Sequence, residues 1–114
     1  MHYAILIYGC EGGAAAELPP ADYQQYNVAL ATAGVMRGGA RLAPTDTATS
    51  VRTRGGRRTV VDGPAVVAAE QLAGFYLIDV PDLDAALEWA ARCPGAAAGT
   101  VEVRSLPAAS LSSR

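Results

Sequence analysis

The chain has 114 residues, 51% of them hydrophobic and 18% charged, with a net charge of -2. That length holds one core, and the apolar fraction is too high for a disordered chain. All nine basic residues are arginine, set against eleven acids, so nothing drives the chain toward nucleic acid or anionic membrane, and Schiff-base or phosphate-loop lysine chemistry is excluded.

Cys10 and Cys93 are too few for a disulfide framework and form no C-x-x-C pair, which points to a reducing cytoplasm. The first apolar run, residues 3–8, is about half a membrane span and has no basic flank, so neither a signal peptide nor a membrane anchor is expected. That run, Tyr-Ala-Ile-Leu-Ile-Tyr, predicts a central strand buried on both faces.

Pro19 and Pro20 open a helix in which Tyr23, Tyr26, Leu30 and Ala33 recur at helical spacing, and Gly34 is its stop. Residues 35–42 are glycine-interrupted and predict a weak or edge strand. Two β-rich runs, 49–54 and 57–62, flank Gly55-Gly56, the spacing of a tight hairpin with a primed turn. Asp62-Gly63-Pro64 ends the second run, and residues 66–72 predict a short helical or irregular piece. Residues 74–80 predict another apolar strand. Asp82 then caps a helix with Leu83, Ala86, Leu87 and Ala90 as its buried stripe, and Cys93-Pro94-Gly95 ends it. Residues 100–104 alternate as a half-exposed strand, and the tail from Pro107 is expected to fray.

The candidate chemistry is sparse. Asp62, a carboxylate at a strand end beside a tight turn, suits a general base or ligand acceptor, or else an Asx cap of its own turn. Glu70 would complete an acid-base pair if residues 66–72 folded back over the sheet, or would be a solvated surface glutamate. Tyr8, Tyr23, Tyr26 and Tyr76 would line an aromatic ligand pocket, or belong to the core or a subunit interface. Arg52, Arg54 and Arg57 share one face of the expected hairpin, as an anion site or as solvated guards of its edge. His2 is the sole imidazole, so no multi-histidine metal site is available, and no cofactor is called for.

Several stretches carry a family resemblance: residues 3–9, Gly38-Gly39-Ala40-Arg41-Leu42, Ala48-Thr49-Ser50-Val51-Arg52, Val61-Asp62-Gly63-Pro64, residues 70–84, and Ala85 with residues 87–94. Together they resemble the DGPF branch of the YCII-related proteins over about residues 1–106, taken as one domain with a tail at 107–114. The resemblance implies an α+β, ferredoxin-like fold of the dimeric α/β-barrel type, with two main helices and an added β-hairpin, pairing into a homodimer around a pocket. Some YCII-like proteins are enzymes on small aromatic molecules, and many DGPF-type proteins are encoded beside extracytoplasmic-function sigma factors. This sequence departs from the family pattern in two places. Ala65, Val67, Ala68 and Ala69 stand where the branch has Phe and polar residues, and Tyr23 and Cys93 occupy the positions of the family's His and Asp. Two functions follow as expectations: a small-molecule binding protein or enzyme with a pocket near Asp62, or a non-catalytic accessory module.

Overall fold

The computed structural model describes residues 1–13, 18–108 and 110. Strand β1 (His2–Gly9) leads to helix α1 (Pro20–Thr32) and strand β2 (Met36–Arg41). A 3-10 turn, Thr45–Thr47, precedes strands β3 (Thr49–Arg54) and β4 (Arg57–Asp62). Strand β5 (Gln71–Asp79), helices α2 (Leu83–Arg92) and α3 (Gly95–Ala98), and strand β6 (Thr100–Ser105) complete the order. The architecture is α+β: one four-stranded antiparallel sheet in the order β2-β5-β1-β6, and a separate two-stranded sheet of β3 and β4.

β1 lies inside the sheet because residues 3–8 are apolar on both faces, as a strand with a neighbour on each side requires. Its register with β5, Tyr3 opposite Ile78 and Ile5 opposite Tyr76, places Tyr3, Ile5, Ile7, Tyr76 and Ile78 on one face. These residues join Tyr26, Leu30, Ala86 and Cys93 from the helical layer in a single buried core. The other face carries Leu6, Tyr8, Leu72, Phe75 and Leu77, all half-buried and outside that core. Glu102 and Arg104 stand on the same face of β6, opposite Leu6 and Ala4.

Helix α2 corrects the expected stripe. Asp82 caps it, its side chain accepting the Ala85 N–H at 2.9 Å, but Leu83 and Leu87 are 50% and 47% exposed. Ala86 and Ala90 are buried as the stripe predicts, and Ala85 and Trp89, partly buried, take the place of the two leucines. The helix is rotated so that Ala85, Ala86, Trp89 and Ala90, and not the two leucines, face the core. On α1, Tyr26 and Leu30 are buried as the spacing indicates, whereas Ala33 lies exposed at the C-cap. Residues 66–70 contain no helix, and β5 starts at Gln71 rather than at Gly74. Gln71 holds the loop by donating its side-chain amide to the carbonyls of Val66 and Ala68, at 2.8 and 3.2 Å. After Pro94 the chain does not remain extended but forms the single turn α3, closed by the Gly99 N–H bonding to the Gly95 carbonyl.

Gly55 and Gly56 both adopt positive φ, 58° and 77°, the backbone of a primed two-residue turn, and Arg54 pairs with Arg57 across it. Every residue of β4 is exposed, and in β3 only Ser50 is partly covered. The radius of gyration is 15.8 Å, where a compact chain of this length has about 13 Å. Among the described residues, no helix is long and apolar enough to cross a membrane.

Candidate functional site

Three of the candidate tyrosines come together between α1, α2 and β5. The Tyr26 ring meets Tyr76 edge-on at 5.3 Å and Trp89 at 6.2 Å, and its hydroxyl donates to the Trp89 carbonyl at 2.7 Å. That carbonyl belongs to the last turn of α2, where the backbone has no onward helical donor, so Tyr26 supplies the missing partner. The Tyr76 hydroxyl donates to the Asn27 side-chain oxygen. Arg92 lies over the Trp89 ring, 4.3 Å from its centroid, and closes the outer side.

Tyr23 faces Cys93 at the inner end of this cluster. Cys93 is 2% exposed, and burial raises its thiol pKa; the N–H groups of Gly95 and Ala96, which favour the thiolate, offset this only in part. Burial first, then the neighbouring Cys93, pushes the Tyr23 and Tyr26 hydroxyls far above the ordinary phenol range, and Tyr76 is pushed up to about 12 by the same two causes. Gly95 permits this packing: a Cβ there would lie 2.7 Å from Ile7 Cγ2 and 2.8 Å from the Tyr23 hydroxyl. The result is a filled, neutral, hydrogen-bonded aromatic wedge. Beside it an open groove is lined by Asp22, Gln25, Tyr26, Ala29, Arg92 and Pro94.

The other candidates stand apart from this wedge. Tyr8 is half-buried on the opposite sheet face, beyond a register shift between Ile7 and Tyr8. Asp62 is exposed at the end of β4 opposite Thr49, and among the described residues its carboxylate takes no hydrogen bond. The turn beside it is held otherwise: the Gly63 N–H donates to the Ala48 carbonyl at 2.8 Å, and the Ser50 hydroxyl donates to the Gly63 carbonyl at 2.7 Å. Glu70 is exposed in the loop after it. Arg52, Arg54 and Arg57 lie on one hairpin face and are exposed.

Two polar features had no signal in the sequence. Glu11 accepts from both the N–H and the hydroxyl of Thr45, at 2.7 and 2.6 Å, tying the loop after β1 to the entrance of the hairpin. Asp79 gathers the Met1 ammonium at 3.0 Å, His2 at 3.5 Å and Arg37 at 3.6 Å, which hold its carboxyl below the usual range, the hydrogen bond from Met1 foremost. Both join residues far apart in the sequence that only the fold makes neighbours. Among the described residues, no three His, Cys, Asp or Glu side chains converge as a metal site would require.

The chain is 38% identical over 114 residues to an uncharacterized protein of Rhizobium meliloti (strain 1021), covering 93% of this chain and 92% of that one. The family model of the YCII-related domain matches residues 1–107. With the match running through all six strands and the helices that form the wedge, the chain belongs to the YCII-related family.

Proposed function

We propose that this is a DGPF-type, ferredoxin-like domain of the cytoplasm that binds a small, largely apolar molecule between the open sheet faces of a homodimer. The observation that carries this reading is the second sheet face: Leu6, Tyr8, Leu72, Phe75 and Leu77 are only half-buried among the described residues, outside the core and beside Glu102 and Arg104. An apolar sheet face of that kind favours burial against another layer, and the helices already occupy the opposite side. Its mixture of apolar walls, a tyrosine hydroxyl and an ion pair suits a ligand with an aromatic or aliphatic body and one polar group. Asp62, and Glu70 in the loop beyond it, are the carboxylates assigned to that pocket. Tyr23, Tyr26 and Tyr76 stand behind the sheet and shape the pocket without touching its contents.

One observation favours the second reading, a non-catalytic module that accompanies a regulator such as a sigma factor. Tyr23 and Cys93 meet at the two places where the family pattern has His and Asp, and burial keeps both protonated. A thiol and a phenol held neutral do not perform the acid-base work of an imidazole and a carboxylate.

Light scattering together with calorimetric titration of small aromatic acids and phenols tests the primary reading. A dimer that binds such a probe, with affinity lost in Tyr8→Ala and Leu77→Asp, is the expected result. A protein that stays monomeric with its sheet face open, or a dimer that binds none of them, overturns it.

A further inference from the structure

The β3–β4 hairpin is amphipathic, and every residue of its two strands except Ser50 is exposed among the described residues. The cross-strand register puts Thr49, Val51, Thr53, Arg58, Val60 and Asp62 on one face, and Ser50, Arg52, Arg54, Arg57, Thr59 and Val61 on the other. The first face is centred on the directly opposed pair Val51 and Val60, which are 62% and 57% exposed. The second holds three of the four hairpin arginines. Just beyond the hairpin, Val66 and Val67 continue the apolar surface and are exposed as well. A lone two-stranded hairpin is marginally stable in water, and β3 and β4 form a sheet of their own, apart from the four-stranded one.

From this we infer that the hairpin is a clasp: its Val51–Val60 face seats on a second copy of this chain and carries Asp62 into the contact. The inference rests on the dimer proposed above and adds the element that holds it. Charge selects the occupant. Four arginines against one acid lie within Thr49–Asp62, while the rest of the chain has five arginines against ten acids, so the arm of one copy is steered to the body of another and away from a second arm. Closed two-fold pairing then gives both copies the same exchange of arms. The arginine face stays in water, where it guards the hairpin edges against open-ended strand addition.

Sedimentation velocity on three proteins tests the clasp. Wild type is expected to be dimeric at micromolar concentration. Val60→Asp, which places a charge at an apolar contact yet sits in solvent in the single chain, weakens dimerisation by about tenfold or more. Arg52→Ser with Arg57→Ser, on the opposite face, removes steering charge but no contact and weakens it by about threefold at most, and only at low salt. Should Val60→Asp fail to fold by circular dichroism, Val51→Thr with Val60→Thr keeps the strand-forming shape and is expected to weaken the dimer in the same direction. A wild-type dimer that the valine changes leave intact overturns the clasp and spares the dimer. Weakening by the arginine pair alone overturns it too, and a monomeric wild type removes both proposals.

Discussion

Glu11 and Thr45 are joined by two hydrogen bonds through one carboxylate, 2.7 Å from the Thr45 N–H and 2.6 Å from its hydroxyl. The N–H belongs to the first residue of a 3-10 turn, so an anion there meets a group with no partner within the turn. This clamp fixes the root of the hairpin to the loop that follows β1. Glu11→Ala should therefore raise amide exchange in residues 45–62 while leaving the core strands and the unfolding midpoint nearly unchanged. Unaltered exchange in the hairpin would show that the strand pairing alone sets its position.

Tyr26→Phe isolates one hydrogen bond, because both ring contacts survive. The Trp89 carbonyl loses its donor in a part-buried place, and the expected loss is about 1–3 kcal/mol in urea unfolding. Tyr76→Phe frees only the side chain of Asn27, which is itself exposed, and should cost less. Equal losses would mean that the helix carbonyl finds another donor.

How much of this was legible in the sequence depended on whether a signal was local. The continuous apolar run at residues 3–8 indicates a central strand, Asp82 a cap, and Gly34 a helix end, because each is set by neighbours within a few positions. The rotation of α2 was not legible: Leu83 and Leu87 satisfy the helical period as well as Ala85 and Trp89 do, and only the docking of the helix, with Trp89 against Tyr26, selects between the two sets. The same limit applied to the tyrosines. Spacing alone gives Tyr8 and Tyr76 one aromatic role, and only the strand register sends them to opposite faces of the sheet. The contact of Glu11 with Thr45 and that of Asp79 with Arg37 depend on tertiary placement and leave no trace in periodicity.

Alkali should unfold the protein through the wedge. The folded-state pKa values of Cys93, Tyr23, Tyr26 and Tyr76 are all raised, so the fold favours their protonated forms. Stability from these groups is complete below their unfolded values, about 8.5 for thiol and 10 for phenol, and is lost as pH rises toward the folded ones. Thermal melts should therefore decline from about pH 8.5 upward, and Cys93→Ala should remove the earliest part of that decline. In the native protein a thiol reagent should modify exposed Cys10 readily and reach Cys93 only on unfolding. Rapid labelling of both would show that the wedge opens in the native state.

Gly95→Ala should be among the most damaging small substitutions. Its Cβ would lie under 3 Å from both Ile7 Cγ2 and the Tyr23 hydroxyl, between a core strand and a rigid ring. Overpacking of that kind costs about 1–3 kcal/mol, and the displaced Tyr23 should leave Cys93 more reactive. The added methyl meets no steric bar outside this packing, because Gly95 has an ordinary negative φ. A stability change near zero would mean that α3 moves away as a unit.

Asp62→Asn separates the turn from the chemistry. In the single chain the carboxylate is exposed and bonds to nothing among the described residues, while the turn is held by Gly63, Ala48 and Ser50. Asparagine keeps the size of the side chain and one acceptor oxygen, so the fold should stay within about 1 kcal/mol of the parent by urea unfolding. The charge matters only if another copy or a ligand meets it. If Asp62 is the carboxylate of the pocket, titration of a polar aromatic probe should weaken in Asp62→Asn, and any reaction that uses Asp62 as general base should slow by about a hundredfold or more. A variant that folds, pairs and binds as the parent does would leave Asp62 as a strand-end residue. A variant that folds but no longer pairs would place the carboxylate against a donor of the second copy.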